Sequence, residues 1–138
     1  MRVFIDSDVV ISSLLSSKGA AYTLLHMSGI TPVISSLSVN ELRIVCKRMN
    51  IASDLLEGRI REKFEVVKIS RNPQKIRAKY QPYVTDMNDA HIVAGAAAAK
   101  TKYLISYNLR HFKADKMKDE LDILLMTPAL TLQYLRSH

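Results

Sequence analysis

Cysteine is almost missing from this chain: Cys46 stands alone, which excludes an internal disulfide and leaves no second thiol to complete a zinc site. It lies among Leu42, Ile44 and Val45, where a thiol reads as a small core residue rather than a nucleophile. Long apolar runs are missing as well. No stretch approaches the ~20 apolar residues that a spanning helix needs, so no membrane partner is expected. Asp6 and Asp8 interrupt the apolar residues after Met1, which argues against a signal peptide and for a cytoplasmic protein. Repeats and low-complexity linkers are lacking too, and 138 residues are most economically one domain, residues 1–138, able to bury a core without staples. Acidic residues are the minority charge, 13 against 20 Lys and Arg. The net +7 favours a polyanion, nucleic acid first, although an inert basic surface would carry the same charge.

What is present alternates between strand and helix patterns. Val3 to Ile5 is a short apolar run stopped by Asp6, as expected of a buried strand that delivers an acid into a cleft. Helical spacing follows over Ser7 to Ser17 and again over Ala20 to Ser28, before a second strand at Thr31 to Ser35. Ser38 and Glu41 match a capping box and predict a helix from Ser38 to about Met49. That gives Glu41 a purely structural alternative. Ile51 to Lys63 is amphipathic, Phe64 to Ile69 reads as the third strand, and the basic stretch Arg71 to Tyr83 is a helix or a loop. Tyr80 and Tyr83 there either stack on bases or pack on the core. Met87 to Lys100 is an Ala-rich helix whose small residues suit close packing, Tyr103 to Ser106 is the fourth strand, and Leu121 to Met126 contains a fifth. Thr127-Pro128 supplies an N-cap and a first-turn proline for a final helix. The alternation predicts an α/β sandwich around a mostly parallel sheet, with ligands outside the carboxyl ends of the strands.

The candidates for chemistry are acids. Asp86 and Asp89, three apart, share one helix face a turn from each other, and their repulsion calls for solvent screening or a cation. Hard ions such as Mg²⁺ and Mn²⁺ prefer carboxylate oxygen, whereas an ordinary N-cap at Thr85 or Asp86 would account for the same pattern. Asp6, Asp8 and Glu41 add three more carboxylates at strand ends or helix starts. A cleft holding several of them around one or two divalent ions can orient a water and stabilise charge on an attacked phosphodiester, while a basic rim holds the phosphate backbone.

In order, the apolar strand ending at Asp6, Ser38-Val-Asn-Glu41-Leu42, Asp86-Met-Asn-Asp89-Ala-His-Ile-Val-Ala94 and Tyr103-Leu-Ile-Ser-Tyr-Asn108 before Phe112 resemble the PIN-domain ribonucleases, most of all toxins of the VapC type. The resemblance covers nearly the whole chain. It implies a PIN-like three-layer α/β/α sandwich, an endoribonuclease using Mg²⁺ or Mn²⁺, RNA as substrate, an antitoxin as partner and a homodimer. Asp6, Glu41 and Asp89 correspond to the metal-holding acids, Asp86 to an additional one, and Asn108 to the polar fourth corner of the site. The sequence departs from the pattern at Asp8, commonly Asn, at Asn108, an amide for an acid, and at His111, where many relatives carry an acid. The apolar face of Ile51, Leu55 and Leu56 would serve the dimer or the core equally well. His91, about 200° around the helix from Asp89 by the ~100° step, reads as packing or groove lining.

Two other readings stay open. Val3-Phe-Ile-Asp6-Ser-Asp8-Val-Val10 fits the opening motif of haloacid-dehalogenase phosphatases, with Asp6 as nucleophile and Asp8 as acid/base, although the chain is short for that fold. A degenerate PIN-like module that binds RNA or a protein without cutting is the other, kept open by Asn108 and His111.

Overall fold

The computed structural model describes residues 1–137. Five short strands, β1 (Arg2–Ile5), β2 (Thr31–Ser35), β3 (Glu65–Val67), β4 (Tyr103–Ile105) and β5 (Leu124–Met126), form one sheet in the order β3-β2-β1-β4-β5. Every pairing is parallel, and Phe4 of β1 lies between Val33 of β2 and Leu104 of β4. Parallel neighbours need helical crossovers, which cover both faces of the sheet and make the centre strand apolar throughout. Val3, Phe4 and Ile5 are accordingly all fully buried.

Alternate residues of β1 feed two separate cores. Val3 and Ile5 join the core built with α1 (Ser7–Leu15), α2 (Ala20–Leu25), α3 (Ser36–Arg48), α4 (Ser53–Lys63) and the last helix, α8 (Pro128–Ser137). Phe4 joins the other, built with α5 (Pro73–Tyr80), α6 (Ala90–Ala98) and α7 (Ala114–Leu121). This is the α/β sandwich around a parallel sheet that the alternating pattern predicts, in the three layers that the resemblance implies. The close approach expected of the Ala-rich helix occurs at Gly95, where a Cβ would collide with the Phe4 ring. Cys46 is buried in the first core, as its apolar neighbours suggested.

Several local expectations shift. The cap of α3 is Ser35, not Ser38: β2 runs straight into the helix, Ser35 keeps an extended backbone, and its Oγ accepts the Ser38 N–H at 3.1 Å. Ser38 is thereby buried inside the first turns, and Glu41 has no capping duty. The third strand is only three residues long, and Phe64 instead packs on the first core. Helix α7, which the sequence reading passed over, has one buried residue, Met117, with Leu121 half-buried a turn later. Asn72 caps α5 through bonds from the Gln74 and Lys75 N–H groups. Tyr80 and Tyr83 pack on the second core, and Tyr83 donates to Glu120 at 3.1 Å, so packing accounts for both rings. Leu56 is buried and Ile51 packs beside it, leaving Leu55, 44% exposed, as the outward apolar residue of that face. Among the described residues no helix is long and apolar enough to cross a membrane.

Candidate active site

The sheet changes direction of growth between β1 and β4, the switch point where loops part and leave a crevice. Asp6 leaves β1 there and Ser106 leaves β4. The Asp6 N–H donates to the Ile105 carbonyl at 2.9 Å, which fixes the two strand ends side by side. Asp6 caps α1, its Oδ1 accepting the Ser7 N–H at 2.7 Å. Its Oδ2 accepts the Ser106 hydroxyl at 2.8 Å. That hydroxyl also stands 3.4 Å from Asp8 Oδ2, but it has one proton, and the shorter contact is the bond. Asp8 Oδ2 instead takes the Tyr107 N–H at 3.0 Å, and Ser106 Oγ accepts the Asn108 N–H at 3.0 Å.

These two acids form the floor. Burial, and after it the charge of Asp8, push the Asp6 carboxyl up from 3.8 to about 6, against the bonds from Ser106 and Ser7. Burial raises Asp8 also, opposed by the Tyr107 and Val9 N–H groups. Asp8 Oδ1 is buried without a hydrogen-bond partner.

The rim is assembled from further away. Glu41, in the second turn of α3, has its Oε1 3.1 Å from His91 Nε2 of α6. Asp89, in the short turn Met87–Asp89 before α6, has its Oδ2 3.3 Å from His111 Nδ1. A single antiparallel bridge, Val84 with Phe112, brings His111 there, flanked by bonds from Thr85 N–H to the His111 carbonyl at 3.0 Å and from Lys113 N–H to the Tyr83 carbonyl at 2.9 Å. Burial raises the Asp89 carboxyl, with His111 opposing and the Asp86 charge adding to it.

A cleft of about 310 Å³ is lined by Asp6, Asp8, Glu41, Asp89, Asn108 and His111 among others. Four of the five residues singled out from the sequence therefore meet. Asp86 does not line the cleft: its carboxylate accepts the Asn88 N–H at 2.9 Å and caps the turn, the capping role left open for it. Asp8 and the two histidines are lining residues. His91 fits the groove-lining expectation, but its contact with Glu41 was not foreseen. The 100° step assumed one helix through Asp89, whereas α6 begins at Ala90 after a tighter turn.

The donor set suits a hard divalent cation. The cleft offers carboxylate oxygens, one of them buried and unpartnered, and two floor acids, of which Asp6 is raised by burial and then by the charge of Asp8. Among the described residues no three His, Cys, Asp or Glu side chains already stand as a ready-made metal cluster, and both rim acids are engaged by imidazoles.

Comparison with known proteins gives the same picture at the level of fold. A PIN-domain family profile matches residues 2–110. Comparison with curated proteins gave no match. Among solved structures, VapBC2 from Rickettsia felis bound to a DNA fragment from its promoter is similar at 15% identity, covering 92% of this chain and 98% of that one, with a TM-score of 0.62. A toxin-antitoxin complex from Klebsiella pneumoniae is similar at 22% identity, covering 91% and 97%, with a TM-score of 0.61. FitAB bound to the IR36 DNA fragment is similar at 17% identity, covering 93% and 95%, with a TM-score of 0.62.

Proposed function

The chain belongs to the PIN-domain family, and from that premise we propose that it is a metal-dependent endoribonuclease, the toxin of a toxin–antitoxin pair. The observation that carries this reading is the meeting of Asp6, Asp8, Glu41 and Asp89, from three distant segments, in one cleft at the strand ends. In this reading Asp6, Glu41 and Asp89 hold Mg²⁺ or Mn²⁺, Asp8 offers its unpartnered oxygen, and Asp86 adds charge from the neighbouring turn. The ion supplies charge stabilisation on the phosphodiester and a more acidic water.

The remaining work falls to the chain itself. Ser106 bonds the Asp6 carboxylate and, by accepting the Asn108 N–H, holds the loop that carries Asn108 at the cleft lining. In this reading the Asn108 amide orients a water or the substrate. Lys75 and Lys79, one turn apart on α5, form a basic flank for the phosphate backbone together with Lys68. The solved structures of similar fold include toxin–antitoxin complexes, which supports an antitoxin partner, and a cytoplasmic setting belongs to the same reading. A homodimer through α3 and α4 belongs to the same reading, with exposed Leu55 as its apolar contact.

The test is cleavage of a labelled single-stranded RNA by the full chain with Mg²⁺ or Mn²⁺, with EDTA, and with Asp6→Asn and Asp89→Asn. Cutting that needs the ion and fails in both variants supports the reading. RNA binding without any cutting by the unsubstituted chain would leave the degenerate module, the reading favoured by the amide at Asn108 and by the His111 contact to Asp89.

A further inference from the structure

Beside the acidic cleft, and sharing Glu41, Asn88 and His91 with it, a second cavity of about 300 Å³ opens between α3, α5 and the turn before α6. Its walls include Leu37 and Ile44 from α3, Ile76 from α5 and Met87 from the turn. Ile44 and Met87 are 55% and 52% exposed, so the core does not hold them there. Large apolar side chains around a slot next to a charged cleft mark a surface suited to contact. At the same slot Arg77 Nη2 donates to Asn88 Oδ1 at 3.2 Å. That bond takes one of the two lone pairs on the amide oxygen and turns it toward Arg77, and the Asn88 NH₂ and the other guanidinium N–H groups are the donors left at the slot.

We propose that this slot receives one nucleobase of the RNA, guanine by preference, next to the phosphate held at the acidic cleft; the assignment rests on the RNA-cleaving reading above. Flat apolar faces suit walls of Ile44, Ile76 and Met87, and unstacked bases are what proteins read in single-stranded RNA. Guanine presents two acceptors, O6 and N7, on one edge, which answers donors from Arg77 and Asn88. Adenine sets an N6 donor against them. Charge points the same way. Helix α5 has Lys75, Arg77 and Lys79 and no acid, and a cavity on its other flank is lined by Lys68, Lys75 and Lys79. Phosphates following the seated base therefore meet cations, whereas an apolar peptide in the slot would leave them unanswered.

The test uses the full chain carrying Asp6→Asn, so that the RNA survives, and fluorescence anisotropy with labelled oligouridines about eight nucleotides long. One position carries guanosine, adenosine or an abasic site. The guanosine RNA is expected to bind about tenfold more tightly than the other two. Arg77→Ala should erase that difference while changing the abasic affinity little, and Ile44→Ala, at an exposed position, should weaken the guanosine RNA selectively. Methyl resonances of Ile44 and Met87 should shift as the guanosine RNA is added. Equal affinities for the three RNAs, an equal loss for all of them in Arg77→Ala, or silent methyls under saturating RNA would each overturn the proposal. The last would leave the slot to a peptide partner. Cleavage by the unsubstituted chain is scored separately: base discrimination without cutting removes the nuclease reading and keeps the slot, and cutting without discrimination does the reverse.

Discussion

Asp6 and Asp8, on the floor of the cleft, are held by a serine hydroxyl and by backbone N–H groups of Ser7 and Tyr107. Glu41 and Asp89, on the rim, meet imidazoles, with His111 half exposed. The floor donors keep their protons at any pH the fold survives and are positioned by the sheet itself, since residues 6 and 106 directly follow the ends of adjacent strands. The rim partners are side chains on helices and turns, and they can let go. A site divided this way keeps its anchoring charge in place and leaves the rim free to rearrange around a cation and a substrate. The difference has a cost: the floor holds ionised acids where burial disfavours them.

If that division is right, loss of the floor should do the most damage. Asp6→Asn is expected to lower kcat for RNA cleavage about 10³-fold, the scale for removing a preorganised electrostatic group. Glu41→Gln should cost about 10- to 100-fold, because the rim can partly compensate. Equal losses, measured under saturating Mn²⁺, would erase the distinction.

Stability sharpens the comparison from the other side. The Asp6 carboxyl titrates at about 6 in the folded chain against 3.8 ordinarily. A raised folded-state value means that the folded chain binds the proton more tightly. Its stabilisation is complete below pH 3.8 and is lost as pH climbs through about 6. At pH 7 the ionised Asp6 carboxylate, without a metal, therefore costs up to about 3 kcal/mol. Asp6→Asn should stabilise the EDTA-treated protein by about 1–3 kcal/mol at pH 7, with the gain vanishing toward pH 4, as read by urea unfolding. A variant less stable than the parent at pH 7 would mean that the Ser7 and Ser106 bonds outweigh burial.

The floor was also the more legible half of the site. Asp6 ends an apolar run that could hardly be anything but a buried strand, so its place at the sheet edge followed from pattern alone. Most of the strands were legible for the same reason, as short apolar runs between polar residues, whereas β3, largely exposed, keeps only Glu65–Val67 of the six residues expected. Glu41 was identified, but its local setting was misread, because a Ser-x-x-Glu match cannot show that β2 hands over to α3 at Ser35 with no loop between them. Helix α7 was passed over because it rests on the core through little more than Met117, although Met117 and Leu121 four apart were a usable signal. The rim contacts lay beyond reach. His91 meets Glu41 across fifty residues of chain, and His111 reaches Asp89 only because Val84 pairs with Phe112, which no local period encodes.

Smaller effects should separate floor from rim by their sign. Ser106→Ala removes the donor to Asp6 and the acceptor for the Asn108 N–H, so Mn²⁺ affinity measured by calorimetry should fall about 10- to 100-fold. His111→Ala removes a partner that competes with the cation for Asp89 Oδ2. Such a half-exposed contact is worth at most about 1 kcal/mol, so Mn²⁺ should bind up to about fivefold more tightly, not less. If His111→Ala weakens Mn²⁺ as Ser106→Ala does, the imidazole is orienting Asp89 rather than competing for it. Floor and rim would then be built on one plan, with the rim's donor merely drawn from further along the chain.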